Sequence, residues 1–243
     1  MPKSKIIVDV VNGSVSLEQS LRRLEVLAHD VGNKELELWA ECELGGYGEQ
    51  NVPEYRVARN CLSFTYSGIN GYALKVENVP LSITLLSKET LDAIKDIPYS
   101  QGIAFMTKMA EGGSMTYLDR SVLAAEVAKT SKGALQCYSI RQGVPASFYV
   151  RVVSEVTTRL IKALTMLEEQ YGILDDLGIV IESGRRASEN NSSINSVVLN
   201  YSGGAPDKEE KLGSKVAWNV LTPIVSAVLG AVLSALAVKY FGL

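Results

Sequence analysis

The first third of the chain places apolar and polar residues with the period of α-helices. Apolar residues recur every three or four positions through 17–31 and again through 34–44, and glycines follow both runs. Ser16 with Gln19 predicts a capping box, and Asn33 predicts the N-cap of the second helix. A shorter apolar repeat before them predicts a further helix. We expect the two longer helices to pack antiparallel, because this buries both apolar stripes.

The period changes after these helices, where β-branched and aromatic residues become frequent. Two such runs, 56–68 and 71–85, predict a hairpin or a short antiparallel sheet. Ser87 predicts the start of a short helix, and another helix is predicted over 101–113. The stretch 112–144 fits helix and strand equally well, so the sequence leaves its fold open.

A long amphipathic helix is predicted from Pro145 to Gly172, with apolar residues on one face that can pack on the N-terminal helix pair. Composition then becomes polar, which predicts a linker over 182–215. Within it the run 194–202 predicts a strand, and a lone strand needs a partner. The sequence thus predicts an α+β fold in which residues 1–181 form a mostly helical domain with a small antiparallel sheet.

The uncharged run 216–238 predicts one C-terminal transmembrane helix, followed by a short tail, 239–243. A helix of this length spans roughly 34 Å, enough for the hydrocarbon core of about 30 Å. The first residues lack the pattern of a secretory leader, and more lysines precede the run than follow it. We therefore expect a tail-anchored, single-pass protein with its N-terminal domain in the cytoplasm.

Polar and small residues inside 216–238 are not scattered around the predicted helix. At 100° per residue, one sector of about 120° contains Asn219, Thr222, Ser226, Gly230 and Ser234. A helix with this face can line a pore, with Leu233 in the same sector as its constriction. A second line of small residues allows close helix packing and consists of Ala227, Ala231 and Ala235. The pattern also fits an anchor that only dimerises or trimerises, so the sequence leaves pore and anchor open.

Composition and motifs favour no enzymatic chemistry. The net charge of −3 and the pI near 5.4 give no overall attraction for nucleic acid or anionic lipid. The three cysteines form no CxxC pair, and His29 is the only histidine, so neither a zinc site nor a Cys–His nucleophile is predicted. No phosphate-binding glycine motif occurs. We expect no cofactor, no metal and a solvated acidic cluster over 168–176.

Three pairs of arginines are the candidates for binding an anionic ligand: Arg22 with Arg23, Arg56 with Arg59, and Arg185 with Arg186. The last pair stands just before the predicted strand, where several subunits could bring these side chains together around a polyanion. The alternative is a charged linker that touches lipid headgroups. The ligand-binding prediction rests on Arg185 and Arg186.

A motif of the form LA-x4-N-x-EL-x2-W-x3-EL-x-GY, followed by P-x-YR, runs through the N-terminal region. It is formed by Leu27, Ala28, Asn33, Glu35, Leu36, Trp39, Glu43, Leu44, Gly46, Tyr47, Pro53, Tyr55 and Arg56. With the later long helix, it resembles the AbiTii domain of bacterial abortive-infection systems over roughly residues 4–180. The resemblance implies a sensing or assembly module of anti-phage defence beside a variable effector part. It supplies no catalytic residues.

In this chain the effector part is the segment 216–238. The arrangement is similar to the transmembrane effector of the Hailong defence system, which is paired with a nucleotidyltransferase and acts as an oligonucleotide-controlled ion channel. The function that this implies is a homo-oligomeric channel in the bacterial inner membrane. A nucleotide or single-stranded oligonucleotide bound to the cytoplasmic domains would control it, and depolarisation would cause abortive infection. The alternative is a tail-anchored scaffold that recruits a cytoplasmic partner.

Overall fold

A computed structural model describes residues 3–48, 51–71, 73–174 and 193–198 of the protein. The helices that precede residue 175 are α1 (Lys5–Asn12), α2 (Leu17–Asp30), α3 (Lys34–Gly45), α4 (Lys88–Ile94), α5 (Ile103–Gly112), α6 (Ala124–Thr130) and α7 (Ala146–Tyr171). The strands are β1 (Val57–Ala58), β2 (Ser63–Asn70), β3 (Leu74–Pro80), β4 (Ile97–Pro98), β5 (Thr116–Asp119) and β6 (Leu135–Val144). The mixed α+β architecture with small antiparallel sheets is confirmed.

The predicted helix starts are formed by the side chains that the sequence indicates. Ser16 accepts a hydrogen bond from the amide of Gln19, whose side chain bonds back to Ser16, so the capping box of α2 is complete. Asn33 accepts from the amide of Leu36 at the start of α3, at 3.2 Å. Ser87 caps α4 in the same way. Local capping thus fixes where these helices begin.

The four-stranded sheet has the order β3-β2-β6-β5, and all its neighbouring strands are antiparallel. The predicted hairpin is β2 with β3, closed where Asn70 faces Leu74. The stretch that the sequence left open forms β5, α6 and β6. The strand β6 lies between β2 and β5, so it gains hydrogen bonds on both sides that no local pattern reveals. Its pairing partners therefore decide its conformation.

Two apolar cores hold these layers together. The larger core joins α1, α2, α3 and α5 to the inner face of α7, as predicted for the long helix. The smaller core lies between α6 and the sheet, around Phe64, Tyr66 and Ile140. The described residues before 175 therefore supply one helical layer and one sheet layer, and α7 packs against α1, α2 and α5.

Residues 193–198 are helical, and we call them α8. This corrects the predicted strand over 194–202, whose remaining residues 199–202 lie outside the described part. Ile194 and Val198 are four positions apart, so a helix puts both on one face, and both are fully buried in the larger core. A short helix satisfies more of its own backbone than an unpaired strand can, which is why the helix is favoured here.

Glu168 joins the C-terminal end of α7 to the start of the chain. Its carboxylate accepts from the amide and hydroxyl of Ser4, at 2.5 and 2.6 Å, and from the Lys3 ammonium at 2.6 Å. Ser4 is fully buried and accepts in turn from the amide of Leu174, at 3.0 Å. The expectation that this acidic residue is solvated is therefore wrong, because the carboxylate occupies the N-terminus of α1 and is held by hydrogen bonds.

Within the described residues, no helix is both long and apolar enough to cross a membrane. The run 216–238 and its tail lie outside those residues. The predicted transmembrane helix therefore stays a prediction, as do the parts 182–192 and 199–215 of the predicted linker.

The Glu168 contacts predict a pH-dependent stability. Burial acts against the charge of Glu168, but hydrogen bonds from Lys3 and Ser4 outweigh it and lower the pKa of this carboxyl to about 2. A lowered pKa means that the carboxylate stabilises the fold above about pH 4.5 and that this stability is lost as pH falls toward 2. Glu168→Gln should lower the thermal midpoint near pH 6 and shrink the fall in midpoint between about pH 6 and pH 3.

The measurement is thermal unfolding of the full chain in detergent at both pH values. Glu169→Gln is the matched control, because Glu169 is the exposed neighbour of Glu168 on α7. Equal falls in the midpoint for Glu168→Gln and the wild type would show that the Glu168 contacts do not carry this stability.

Candidate functional site

The most concentrated polar chemistry in the described residues lies at the C-terminal half of α3. Trp39 and Glu43 are one helical turn apart and point to the same side of α3, into the larger core. Tyr47 follows the end of that helix. A 3-10 turn at Glu54–Arg56 brings Tyr55 and Arg56 against it. We call these five residues, Trp39, Glu43, Tyr47, Tyr55 and Arg56, the Glu43 cluster.

The Glu43 carboxylate is the acceptor at the centre of the cluster, and its side chain has no solvent exposure. Its Oε1 accepts from the hydroxyls of Tyr47 and Tyr55, at 2.6 and 2.5 Å. The guanidinium of Arg56 donates to both carboxylate oxygens, through Nε at 3.2 Å and through Nη2. Trp39 completes the set by donating from Nε1 to the hydroxyl of Tyr55, at 3.1 Å. Every charge in the cluster is thus paired and hydrogen-bonded.

Arg56 is also fully buried and reaches beyond the carboxylate. Its Nη1 donates to the carbonyl of Gln101 at 2.6 Å, and its guanidinium lies 5.0 Å from the centre of the Tyr47 ring. Burial acts against its charge, but hydrogen bonds and attraction from Glu43 outweigh burial and raise the pKa of Arg56. The residue therefore stays a cation in the interior.

The loop that offers the Gln101 carbonyl lies close against the end of α3. Gly46 has a φ of +98°, and a Cβ there would lie 2.6 Å from the carbonyl oxygen of Ser100. A Cβ on Gly102 would lie 2.2 Å from the Leu44 carbonyl oxygen. Only glycine permits this approach. The glycine of the motif is therefore explained by the contact that brings the loop to Arg56.

The cluster can hold elements together, but it is not placed to touch a substrate. Burial and the charge of Glu43 raise the pKa of both Tyr47 and Tyr55 above the ordinary range, so both hydroxyls remain donors. The carboxylate is occupied by three donor residues and sealed from solvent. In the described part of the chain, no group of three or more His, Cys, Asp or Glu is placed to hold a metal ion.

Arg159 of α7 extends the cluster toward α8. Its guanidinium lies 4.4 Å from the centre of the Tyr55 ring and donates to the carbonyls of Val197 and Val198, at 3.2 and 2.7 Å. Its Nε donates to Glu155 at 3.0 Å. A continuous set of polar contacts thus runs from α3 through the 3-10 turn and α7 to α8.

The predicted site residues are distributed differently. The pore-lining set (Asn219, Thr222, Ser226, Gly230, Leu233, Ser234), the packing set (Ala227, Ala231, Ala235) and the ligand pair (Arg185, Arg186) all lie outside the described residues. These assignments stay predictions.

The other arginine pairs, proposed above as anion ligands, are engaged with carboxylates. Arg22 pairs with Glu18 at 2.7 Å and Arg59 with Glu54 at 3.0 Å, both near the surface. Arg56 belongs to the buried cluster, so it does not face an anionic ligand. The sequence pointed to the residues of the cluster only as motif positions and to Arg56 as a candidate anion ligand, not to their contacts with one another. A glutamate and an arginine among aromatic motif positions are the signal that could have identified the buried ion pair.

The chain was compared with family models, curated proteins and solved structures. A family model described as AbiTii matches residues 4–193, which is well over half of the 243 residues. Neither the curated proteins nor the solved structures returned a match. The matched range includes the whole Glu43 cluster and reaches the first residue of α8.

The geometry predicts that Glu43 cannot be neutralised without a large loss of stability. Glu43→Gln leaves the buried Arg56 cation without its counter-charge, so the free energy of unfolding should fall by about 3–5 kcal/mol. Glu41→Gln is the control on the same helix, because Glu41 is exposed, and it should change stability by less than about 0.5 kcal/mol.

Denaturant unfolding of the full chain in detergent measures both values. The double variant Glu43→Leu with Arg56→Met removes both charges and should cost less than Glu43→Gln alone. The single variants Glu43→Leu and Arg56→Met complete the comparison. If the double variant loses as much free energy of unfolding as these two lose when added together, the two side chains are not coupled.

Proposed function

Because the chain belongs to the AbiTii family of abortive-infection proteins, we propose that it is a membrane effector of bacterial anti-phage defence. In this proposal the domain described above assembles into a homo-oligomer, and the segment 216–238 forms a pore in the inner membrane. Opening of the pore depolarises the cell and stops phage propagation. The proposal includes no catalytic step in this chain.

The observation that carries the pore is the polar face of 216–238. Asn219, Ser226 and Gly230 share one sector of the predicted helix with Thr222 and Ser234. Simple anchoring does not require a continuous hydrophilic stripe, whereas copies that meet around an axis can turn such a stripe toward water. The run contains no charged residue, which fits a weakly selective pore and not a proton relay.

We propose that a nucleotide or single-stranded oligonucleotide controls this pore, supplied by an adjacent nucleotidyltransferase. Arg185 and Arg186 support an anionic ligand, since repeated copies of this pair in an oligomer concentrate positive charge. The mass of the purified full chain in detergent, taken with nuclease-sensitive absorbance at 260 nm, tests subunit number and ligand class together. A monomeric mass without bound nucleic acid would contradict both parts.

The second candidate is a tail-anchored scaffold that recruits a cytoplasmic partner. It is favoured by a simpler feature of the sequence. One apolar run follows the domain, and such a run suffices to hold the domain at the membrane. The two candidates differ in whether the sequence of 216–238 matters. Replacing that run with polyleucine should preserve phage protection for a scaffold and abolish it for a pore.

The pore predicts position-specific effects on ion flux. Ser226→Leu and Gly230→Leu each put a large apolar side chain on the polar face, so flux through proteoliposomes of the full chain should fall about tenfold or more. Val225→Leu and Val232→Leu are the matched controls on the opposite side of the predicted helix, and both should conduct like the wild type. Flux that is equal in all four variants would overturn the pore.

A further inference from the structure

Arg159 of α7 is a buried cation that contacts two separate parts of the chain. Only 4 % of the residue is exposed. On one side the guanidinium packs on the Tyr55 ring, which belongs to the Glu43 cluster. On the other side it donates to the backbone carbonyls of Val197 and Val198 and pairs with Glu155 at 2.9 Å. One side chain therefore joins the motif residues to α8.

The contacts of α8 are those of a docked segment. Ile194 and Val198 fill the larger core and have no exposure. Backbone carbonyls carry partial negative charge, so the carbonyls of Val197 and Val198 favour a nearby cation. Arg159 supplies both the hydrogen-bond donors and the positive charge. Two apolar side chains and one arginine thus hold α8 on α7.

This docking is limited in extent, which suits an element that can detach. The described part of α8 is six residues long and buries two apolar side chains. The Oδ1 of Asn195 is buried and has no hydrogen-bond partner among the described residues. Such an oxygen regains water when the segment leaves, so it lowers the cost of undocking. Segments with few buried contacts open before the rest of a domain does.

The place of α8 in the chain gives its detachment a consequence. Residues 199–215 separate it from 216–238, a length of chain that reaches at most about 60 Å. While α8 is docked, the reach of the C-terminal run is counted from α7. Once α8 leaves, it is counted from Leu174, the last described residue after α7, over more than twice as many residues.

We propose that α8 is an autoinhibitory strap whose release from Arg159 is the activating step of the protein. In the docked state the strap limits how the C-terminal runs of neighbouring copies meet, and release allows their active arrangement. The link to a pore rests on the function proposed above. The docking of α8, and its effect on the growth of bacteria that express the chain, do not depend on that function.

The first measurement is backbone amide hydrogen exchange of residues 193–198 in the full chain, in lipid nanodiscs. Arg159→Met removes the donors and the charge but keeps a long apolar side chain, and exchange in this segment should rise about tenfold or more. Arg151→Met is a matched control. Arg151 is also on α7, lies 5.5 Å from the Phe148 ring and donates to a backbone carbonyl, that of Val57, at 3.3 Å. It should leave exchange in α8 unchanged.

A second variant attacks the docking from the side of α8 and leaves α7 intact. Val198→Ser removes buried apolar surface and should raise exchange as Arg159→Met does. Ser196→Ala is its control, because Ser196 is on the exposed side of α8. Exchange in α2 and in the middle of α7 reports whether each variant keeps the fold. Unchanged exchange of α8 in both docking variants, with the fold intact, overturns the strap.

The second measurement is growth of uninfected bacteria that express the full chain at matched levels. Arg159→Met and Val198→Ser should each reduce colony counts about tenfold or more relative to the wild type, and both controls should not. Raised exchange without any loss of colonies overturns the autoinhibitory role. Loss of colonies without ion flux in proteoliposomes would support the strap and would contradict only the proposed pore.

Discussion

The described fold depends on a carboxylate that is entirely removed from water. Isolating Glu43 in the core would cost several kcal/mol, and the protein offsets this with Arg56 and two tyrosine hydroxyls. The donors come from two places in the chain, the end of α3 and the 3-10 turn, and Arg56 donates in addition to the Gln101 carbonyl in the loop before α5. Because the charge must be satisfied, these segments have one arrangement relative to one another. The ion pair thus fixes geometry more than it adds stability.

The pairing of these groups explains how polar residues of the motif can be buried away from solvent. Glu43, Tyr47, Tyr55 and Arg56 have the chemistry of an active site, but their hydrogen bonds are directed at each other. Gly46 is part of the same arrangement, since its lack of a Cβ lets the loop at Ser100 approach the end of α3. The motif residues therefore form a structural scaffold in this chain, and the range that the AbiTii family model matches contains all of them.

In our proposal this scaffold belongs to a defence effector and its state is passed to another segment. Arg159 is the only described residue that both packs on Tyr55 and bonds the backbone of α8. In this proposal the Glu43 cluster is the stable part of the domain, and α8, held by two apolar side chains and Arg159, is the movable part. In our proposal the movable part controls the C-terminal run, whose polar face does the work at the membrane.

Local sequence determined much of this architecture. Apolar period and capping side chains were enough for α2, α3, α4 and α7, because these helices satisfy their own backbones and need only one apolar face. The hairpin of β2 and β3 followed from residue types and a glycine-rich turn. For the run 216–238, the sequence alone predicts a helix with a polar face, since helical period is a local property.

Tertiary structure decided the rest, because the deciding contacts join residues far apart in the chain. The fold of 116–144 depends on β6 finding β2 and β5 on its two sides. Residues 194–198 have strand-like composition, yet a core position and Arg159 make them helical. From the sequence alone, Glu43 and Glu168 cannot be told from surface carboxylates, because only the folded structure brings Arg56 and Ser4 to them. No periodic pattern encodes such meetings, since their free energy comes from desolvation and pairing that exist only in the folded protein.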